Sequence, residues 1–404
     1  MTARRRTLAV AAALLAAVAG PADAATSPPE VPSAEAAIVV DGRDGAVMFA
    51  KRPDSERAIA STTKLMTALL ALERADPDDV FTAPAYEAMP AESRINLRPG
   101  ERMTVEDLLE ALLLESANDA AVTIAEGVSG SREAFVEEMN ARAAELGLDH
   151  TSYANPVGLD QPGNYSTARD LASLTRRLLR RPRFARIVDM PAAQLESGVR
   201  PRVVENRNDL VAAYPWVSGV KTGYTLNAGN VLVGAARRGR GARVISVVLG
   251  EPTEAARDED TLELLRWGLR RFHRVRVLEP RRALARAGIE HRDETARLVP
   301  RRGAVLTVRD GERIRRRVDA PDDLEGPLPA GERVGTVTVL LDGRPVRRVA
   351  LVTAAEVPGA GTLRVLLSAL GVPLTLLLLL AILVVAALAV LAVLRLRIRI
   401  RIVR

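Results

Sequence analysis

The stretch IASTTKLMTALLAL, residues 59–72, predicts a helix that is buried over most of its surface. Its leucines recur at the spacing i, i+4, i+7 and other apolar residues flank them, so the apolar stripe is wide. The amine of Lys64 interrupts this stripe, three positions after the hydroxyl of Ser61. A spacing of i, i+3 places these two groups on neighbouring positions of one helix face.

Lysine is rare in this chain. Of its 57 basic residues only Lys51, Lys64 and Lys221 are lysines, and the others are arginines. Arginine keeps its proton in a protein, whereas a desolvated lysine can lose it. A serine hydroxyl is a poor nucleophile until a nearby base takes its proton. Lys64 is therefore a candidate for an amine that acts in its neutral form.

Two further motifs carry possible chemistry. In ESANDAA, residues 115–121, Ser116 and Asn118 interrupt two helical stretches and can bring a hydroxyl and an amide to one cleft. Helix capping is the alternative reading of these two residues. In VSGVKTGYTLNAGN, residues 217–230, a lysine and a threonine can hold a carboxylate, and the next glycine lets a substrate backbone approach a strand. A surface strand with a turn is the alternative there.

The rest of the pattern predicts an antiparallel sheet flanked by helices. Residues 36–52 and 229–250 each read as two apolar strands about a Gly-containing turn, and helical patterns lie between and after them. The polar loop at 149–167 is long enough to favour a functional role. After residue 272, short Val/Leu/Arg runs alternate with turns, which predicts a smaller all-β domain at 273–358.

The order S-x-x-K, S-x-N and K-T-G is the motif set of β-lactamases and penicillin-binding proteins. Together with NPVGLDQPGNYSTARDLA and ENRNDLV, it makes residues 30–272 resemble the serine D-alanyl-D-alanine carboxypeptidases, the low-molecular-mass penicillin-binding proteins. The resemblance implies an α+β fold. We expect a β-lactamase/transpeptidase-like catalytic domain (25–272), a small all-β domain and a C-terminal transmembrane helix.

The resemblance also implies roles for individual residues. Ser61 would be the acylated nucleophile and Lys64 the base that activates it. Ser116 would relay a proton to the leaving D-alanine, and Asn118 would hold the acyl side chain.

The K-T-G segment would bind the terminal carboxylate of the substrate through Lys221 and Thr222, next to Gly223. The backbone N–H groups of Ser61 and Tyr224 would form the oxyanion hole. The activity implied is hydrolysis of the terminal D-Ala-D-Ala bond of peptidoglycan stem peptides, with β-lactam antibiotics as covalent inhibitors.

The chain departs from the family pattern at two positions near the motifs. Tyr224 stands where relatives often have histidine after K-T-G. Asn164 stands where the common GHYSTA motif of the family has its histidine. Both changes leave the three core motifs intact and are expected to alter substrate fit or pH dependence.

Three other functions compete with this one. A class A β-lactamase would carry an E-x-x-L-N loop, and the sequence between Ser116 and Lys221 has none. A D,D-endopeptidase that cuts peptidoglycan cross-links uses the same motifs and stays open. A membrane-tethered wall-binding module with an inactive site is less favoured, because all three motifs are retained.

The N-terminal segment predicts export. Arginines precede a short apolar run, and Ala-Asp-Ala follows, so residues 1–24 read as a signal peptide. An uncleaved anchor is the alternative.

The C-terminal segment predicts a membrane anchor. Residues 365–394 contain no charged residue, and this apolar stretch is long enough to span a membrane. The stretch has no polar face, which disfavours an interfacial helix. Residues 395–404 carry five arginines and are expected to be cytoplasmic. The protein would therefore sit on the extracytoplasmic face of the cell membrane, with membrane lipid around its single span.

Without the three arginines at positions 4–6 and the five arginines of the C-terminal tail, 49 basic residues remain against 50 acidic ones, so the charge of the globular part is nearly balanced. The high isoelectric point thus gives no support to a nucleic-acid partner. The chain has no cysteine, so thiol catalysis is excluded. His273 and His291 show no metal-binding spacing, and we expect neither a metal nor a cofactor.

Overall fold

The computed structural model describes residues 27–239, 241–362, 364–365 and 374–402. They form two compact units, one ending at Arg270 and the other beginning at Arg271. The predicted fold class is confirmed, because an α+β unit is followed by β-strands and then by an apolar helix. The predicted signal peptide, residues 1–24, lies outside the described residues.

A five-stranded antiparallel sheet forms the centre of the first unit. The strands of this unit are β1 (Ala36–Asp41), β2 (Val47–Lys51), β3 (Val80–Thr82), β4 (Arg102–Thr104), β5 (Ala192–Leu195), β6 (Arg202–Glu205), β7 (Val217–Thr225), β8 (Gly229–Arg238) and β9 (Ala242–Glu251). The sheet has the order β2-β1-β9-β8-β7. The hairpins predicted at 36–52 and 229–250 supply four of its strands, and β7, which carries K-T-G, is one of its two edge strands.

Helices cover both faces of this sheet. They are α1 (Lys64–Arg74), α2 (Val105–Glu110), α3 (Asn118–Ser129), α4 (Arg132–Glu145), α5 (Ala168–Leu178), α6 (Pro182–Ile187), α7 (Asp209–Ala213) and α8 (Glu254–Arg270). In β1, Ile38 and Val40 join the large core that includes α1, α3 and α5. The side chain of Val39, between them, faces α8. Its Cγ1 lies 3.1 Å from the position that a Cβ on Gly268 of α8 would take. Because successive strand residues face opposite sides, the sheet lies between α8 and the other helical layer.

Helix α1 is enclosed by this core. Every residue from Lys64 to Ala71 is buried, which agrees with the wide apolar stripe seen in the sequence. Fully burying a leucine side chain contributes about 1.5–3 kcal/mol, so the leucines of α1 hold the helix firmly in place. Lys64, the last residue of the S-x-x-K motif, therefore lies on a rigid element.

Two irregular turns lie next to the motif residues. A 3₁₀ turn, Ala60–Thr63, leads into α1, and a π turn, Ala111–Glu115, follows α2. The π turn ends at Ser116, whose φ of +64° is left-handed. The sequence predicted a break at Ser116 but an ordinary helix before it. Such π turns occur frequently at functional sites.

The second unit is built from β-strands. They are β10 (Phe272–Leu278), β11 (Ala285–Ile289), β12 (Arg292–Pro300), β13 (Ala304–Arg309), β14 (Ile314–Asp319), β15 (Asp323–Leu324), β16 (Arg333–Leu341) and β17 (Arg344–Thr353). One sheet has the order β14-β16-β17-β12-β11-β15, and β10 pairs with β13. Its apolar side chains form two small cores, one around Val337 and Leu351 and one around Leu298 and Leu324.

A long apolar helix, α9 (Leu374–Ile402), ends the described chain. Its stretch Leu378–Arg395 is long and apolar enough to cross a membrane. The helix continues through Ile402 and so includes four of the five tail arginines.

Candidate active site

The S-x-x-K motif lies where the 3₁₀ turn becomes α1. Ser61 is half-buried, whereas Lys64 has no exposed surface. The Nζ of Lys64 lies 2.9 Å from the Oγ of Ser61. The same amine donates a hydrogen bond of 2.6 Å to the carbonyl oxygen of Val157. A hydroxyl and a candidate base are thus within proton-transfer distance.

The surroundings of Lys64 favour its neutral form. Burial lowers the pKa of Lys64 well below its ordinary value, and the positive charge of Lys221 lowers it further. The carboxylates of Glu92 and Asp119 oppose this shift. A lysine with a lowered pKa can accept the proton of Ser61 at a pH where an exposed lysine stays charged.

The polar loop at 149–167 supplies the second partner of Lys64. The Oδ1 of Asn155 accepts hydrogen bonds from the backbone N–H groups of Val157 and Gly158, at 3.2 and 2.7 Å. The preceding carbonyl, that of Pro156, accepts a hydrogen bond from the Thr67 hydroxyl of α1 at 2.7 Å. The loop is therefore fastened to α1 beside the carbonyl that Lys64 contacts, and Asn155 fixes the turn of the loop around that carbonyl.

The S-x-N motif lies between the π turn and α3. Ser116 is buried and takes the left-handed conformation that ends the turn, and the turn packs against α1 and β7. Asn118, the first residue of α3, is also buried, and its Nδ2 donates a hydrogen bond of 2.7 Å to Glu92. In the part of the chain that the structure describes, the side chains of Ser116 and Asn118 make no hydrogen bond that caps the π turn or α3, so the helix-capping alternative is not supported.

The K-T-G motif lies on β7. Lys221 is buried, and its Nζ donates a hydrogen bond of 3.0 Å to the carbonyl oxygen of Thr222. Burial lowers the pKa of Lys221 to about 7, and the nearby guanidinium groups of Arg207 and Arg257 act in the same direction. Glu115 opposes them. A bound carboxylate would favour the ammonium form of Lys221 again.

Gly223 lies directly against the backbone of Ser61. A Cβ at position 223 would lie 2.8 Å from the backbone nitrogen of Ser61 and 3.0 Å from the Cβ of Ala60. Only glycine fits this close approach between β7 and the 3₁₀ turn. The next residue, Tyr224, points outward and is 59% exposed.

Asn164, at the position where relatives often have histidine, braces the polar loop from within. Its side chain is buried, its Oδ1 accepts a hydrogen bond from the N–H of Ala154, and its Nδ2 donates to the carbonyl of Leu159, both at 3.4 Å.

Sequence reasoning missed three contributors to this site. The carbonyl of Val157 and the side chain of Asn155 belong to the loop that was expected to be functional, but no side-chain chemistry marked them. Glu92 lies in a segment that the sequence left unassigned. Its contact with Asn118 joins residues 26 positions apart, and only the fold reveals it.

Comparison with known families gives two matches along the chain. The D-alanyl-D-alanine carboxypeptidase family, peptidase S11, matches residues 22–253. The family described as penicillin-binding protein 5, C-terminal domain, matches residues 291–359.

Comparison with individual proteins gives relatives over most of the chain. D-alanyl-D-alanine carboxypeptidase DacC of Escherichia coli is 31% identical over 379 residues, which is 88% of this chain and 92% of the relative. DacF of Bacillus subtilis is 30% identical, with 84% and 89% of the two chains covered. The crystal structure of penicillin binding protein 5 from Haemophilus influenzae is 29% identical with a TM-score of 0.59, covering 82% and 99%.

Proposed function

The chain belongs to the D-alanyl-D-alanine carboxypeptidase family, and we propose that Ser61 is the nucleophile with which it removes the terminal D-alanine of peptidoglycan stem peptides. One observation carries this proposal: the fully buried amine of Lys64 lies 2.9 Å from the hydroxyl of Ser61. The roles proposed below for the remaining motif residues are those that the family resemblance implies.

Acylation begins with Lys64 in its neutral form. The amine accepts the proton of Ser61, and the Oγ attacks the carbonyl carbon of the penultimate D-alanine. Negative charge develops on the carbonyl oxygen, which the backbone N–H groups of Ser61 and Tyr224 would bind. Asn118 would hold the acyl side chain while the new bond forms.

The bond to the terminal D-alanine then breaks. Its nitrogen needs a proton as it leaves, and Ser116 would relay one from the protonated Lys64. The carboxylate of the departing residue would be held by the ammonium of Lys221 and the hydroxyl of Thr222. The products of this half-reaction are free D-alanine and an ester on Ser61.

Hydrolysis of the ester completes the cycle. Lys64, neutral again, accepts a proton from water, the hydroxide attacks the ester carbonyl, and Ser61 leaves with a proton returned by Lys64. A β-lactam ring presents an equivalent carbonyl to Ser61, but the amine released when the ring opens stays attached to the acyl group. Its acyl-enzyme is therefore the stable species by which the nucleophile can be identified.

The C-terminal helix supports a proposal for the location of the enzyme. We propose that α9 anchors the protein in the cell membrane, with its arginine-rich end in the cytoplasm. The catalytic unit would then face the cell wall, and the all-β unit would act as a spacer. The proposal keeps the domain limits and the signal peptide that the sequence predicts.

Release of D-alanine from a synthetic stem pentapeptide tests the activity. The wild-type protein should release one D-alanine per peptide and be labelled by a fluorescent penicillin. A protein that is labelled but cleaves only cross-linked dimers would be an endopeptidase. A protein that does neither would be an inactive wall-binding module.

A further inference from the structure

Glu92 lies on a segment that is docked against the beginning of α3. The carbonyl oxygen of Ser93, the next residue, accepts a hydrogen bond of 2.8 Å from the backbone N–H of Asn118. The N–H of Ile95 donates a hydrogen bond of 3.1 Å to the carboxylate of Asp119. These contacts fix the segment relative to the S-x-N motif, so the position of Glu92 follows from the fold.

The carboxylate of Glu92 accepts three hydrogen bonds. The Nδ2 of Asn118 donates to its Oε2 at 2.7 Å, and the hydroxyl of Tyr86 donates to the same oxygen. The backbone N–H of Met89 donates to its Oε1 at 2.9 Å. Tyr86 is itself held in place, because the guanidinium of Arg132 lies 5.6 Å from the centre of its ring.

We propose that Glu92 is a positioning residue for acylation, because its carboxylate selects one of the two orientations of the Asn118 side-chain amide. A carboxylate only accepts hydrogen bonds, so the amide must turn its nitrogen toward Glu92. The flipped amide would place two oxygens against each other in a partly buried position. The inference rests on the proposed role of Asn118 in holding the acyl group.

The charge of Glu92 also acts on the base. Burial raises the pKa of Glu92, but hydrogen bonds from Tyr86 and Asn118 outweigh it, so the pKa is lowered overall and the group is ionised at neutral pH. The negative charge raises the pKa of Lys64, as that of Asp119 does, whereas burial and Lys221 lower it. Removing the charge at position 92 would leave Lys64 neutral down to a lower pH.

The substitution Glu92→Gln separates these effects from simple loss of structure. A glutamine can present either its oxygen or its nitrogen to Asn118, so the selection of one amide orientation is lost. We expect benzylpenicillin to acylate the full-length variant about tenfold more slowly than the wild type at the optimum pH. The acid limb of the pH–acylation profile should shift to lower pH, a change that a merely structural residue would not cause.

Glu87→Gln is the matched control. Glu87 is an exposed glutamate in the same segment. The acylation rate and the pH–acylation profile of Glu87→Gln should therefore match those of the wild type. Tyr86→Phe removes one donor to Glu92 but keeps the charge. It should slow acylation without moving the acid limb.

Two outcomes would overturn the inference. One is a folded Glu92→Gln protein with the wild-type acylation rate and an unshifted acid limb. If that variant does not fold, Glu92→Asp and Tyr86→Phe take its place, and wild-type rates in both would be the contrary result. Acylation that persists in Ser61→Ala would instead overturn the proposed function, and the two failures are thus distinguishable.

Discussion

Gly158 and Ala60 approach so closely that no side chain fits between them. A Cβ on Gly158 would lie 2.0 Å from the carbonyl oxygen of Ala60, and the φ of Gly158 is +94°. Gly158 follows Val157, whose carbonyl oxygen accepts a hydrogen bond from Lys64. This contact therefore sets the distance between the polar loop and the turn that carries Ser61.

Gly158→Ala is expected to reduce acylation by benzylpenicillin at least about 100-fold, because the displaced loop would no longer hold Lys64 beside Ser61. Stopped-flow measurement with a fluorescent penicillin checks this rate. The control is Gly163→Ala in the same loop, where φ is +86° but no atom lies within 4 Å of the added Cβ. Gly163→Ala should lose about 1–2 kcal/mol of folding stability, because alanine disfavours a positive φ, and it should keep the wild-type acylation rate. Equal rates in the two variants would contradict the packing argument.

The lysines of the S-x-x-K and K-T-G motifs are expected to differ in their response to substitution by arginine. Lys64→Arg places at this position a cation that cannot lose its proton, so the neutral base is removed and acylation should fall by about 10²–10⁴-fold. Lys221→Arg keeps a cation for the substrate carboxylate and should be milder. The measurement is the second-order acylation rate of each variant, and equal losses would mean that the roles are misassigned.

The affinity for peptide substrate should depend on the ionisation of Lys221. Its pKa is about 7 because it is buried, so the ammonium form predominates below pH 7 and declines above it. KM for a stem pentapeptide is therefore expected to rise above pH 7, by up to about tenfold per pH unit. Arginine stays protonated, so the KM of Lys221→Arg should not show this rise. The same rise in both proteins would exclude Lys221 as its cause.

The sequence predicted those parts of the fold that depend on local pattern. The period of the leucines around Lys64 predicted a buried helix, and α1 is buried from Lys64 to Ala71. Alternating apolar runs about Gly-containing turns predicted the two hairpins that supply four strands of the central sheet. The spacing between Ser61 and Lys64 predicted neighbouring side chains, since both positions lie within one helical turn.

The contacts that complete the site could not be predicted in this way. The carbonyl of Val157 meets Lys64 across 93 positions of sequence, and a backbone carbonyl leaves no mark in residue type. The carboxylate of Glu92 reaches Asn118 only because its segment docks on α3. The π turn before Ser116 differs from an α-helix by one residue in its backbone hydrogen-bond spacing, and the pattern of apolar residues does not distinguish the two.

The anchoring role that we propose for α9 predicts how a shortened protein behaves. A chain ending at Gly359 lacks the apolar helix, so we expect it to be secreted in soluble form and still to bind penicillin. Cell fractionation with a fluorescent penicillin checks both properties, and full-length Ser61→Ala serves as a membrane-bound control detected by antibody. Recovery of the shortened protein in the membrane pellet would contradict the anchor.

The central claim is that Ser61 forms the acyl-enzyme. Its most direct test is mass spectrometry of the intact protein after incubation with benzylpenicillin, followed by peptide mapping. The account predicts a single adduct on the wild-type protein, on the peptide that contains Ser61, and no adduct on Ser61→Ala. An adduct that persists in Ser61→Ala, or that maps to another peptide, would contradict it.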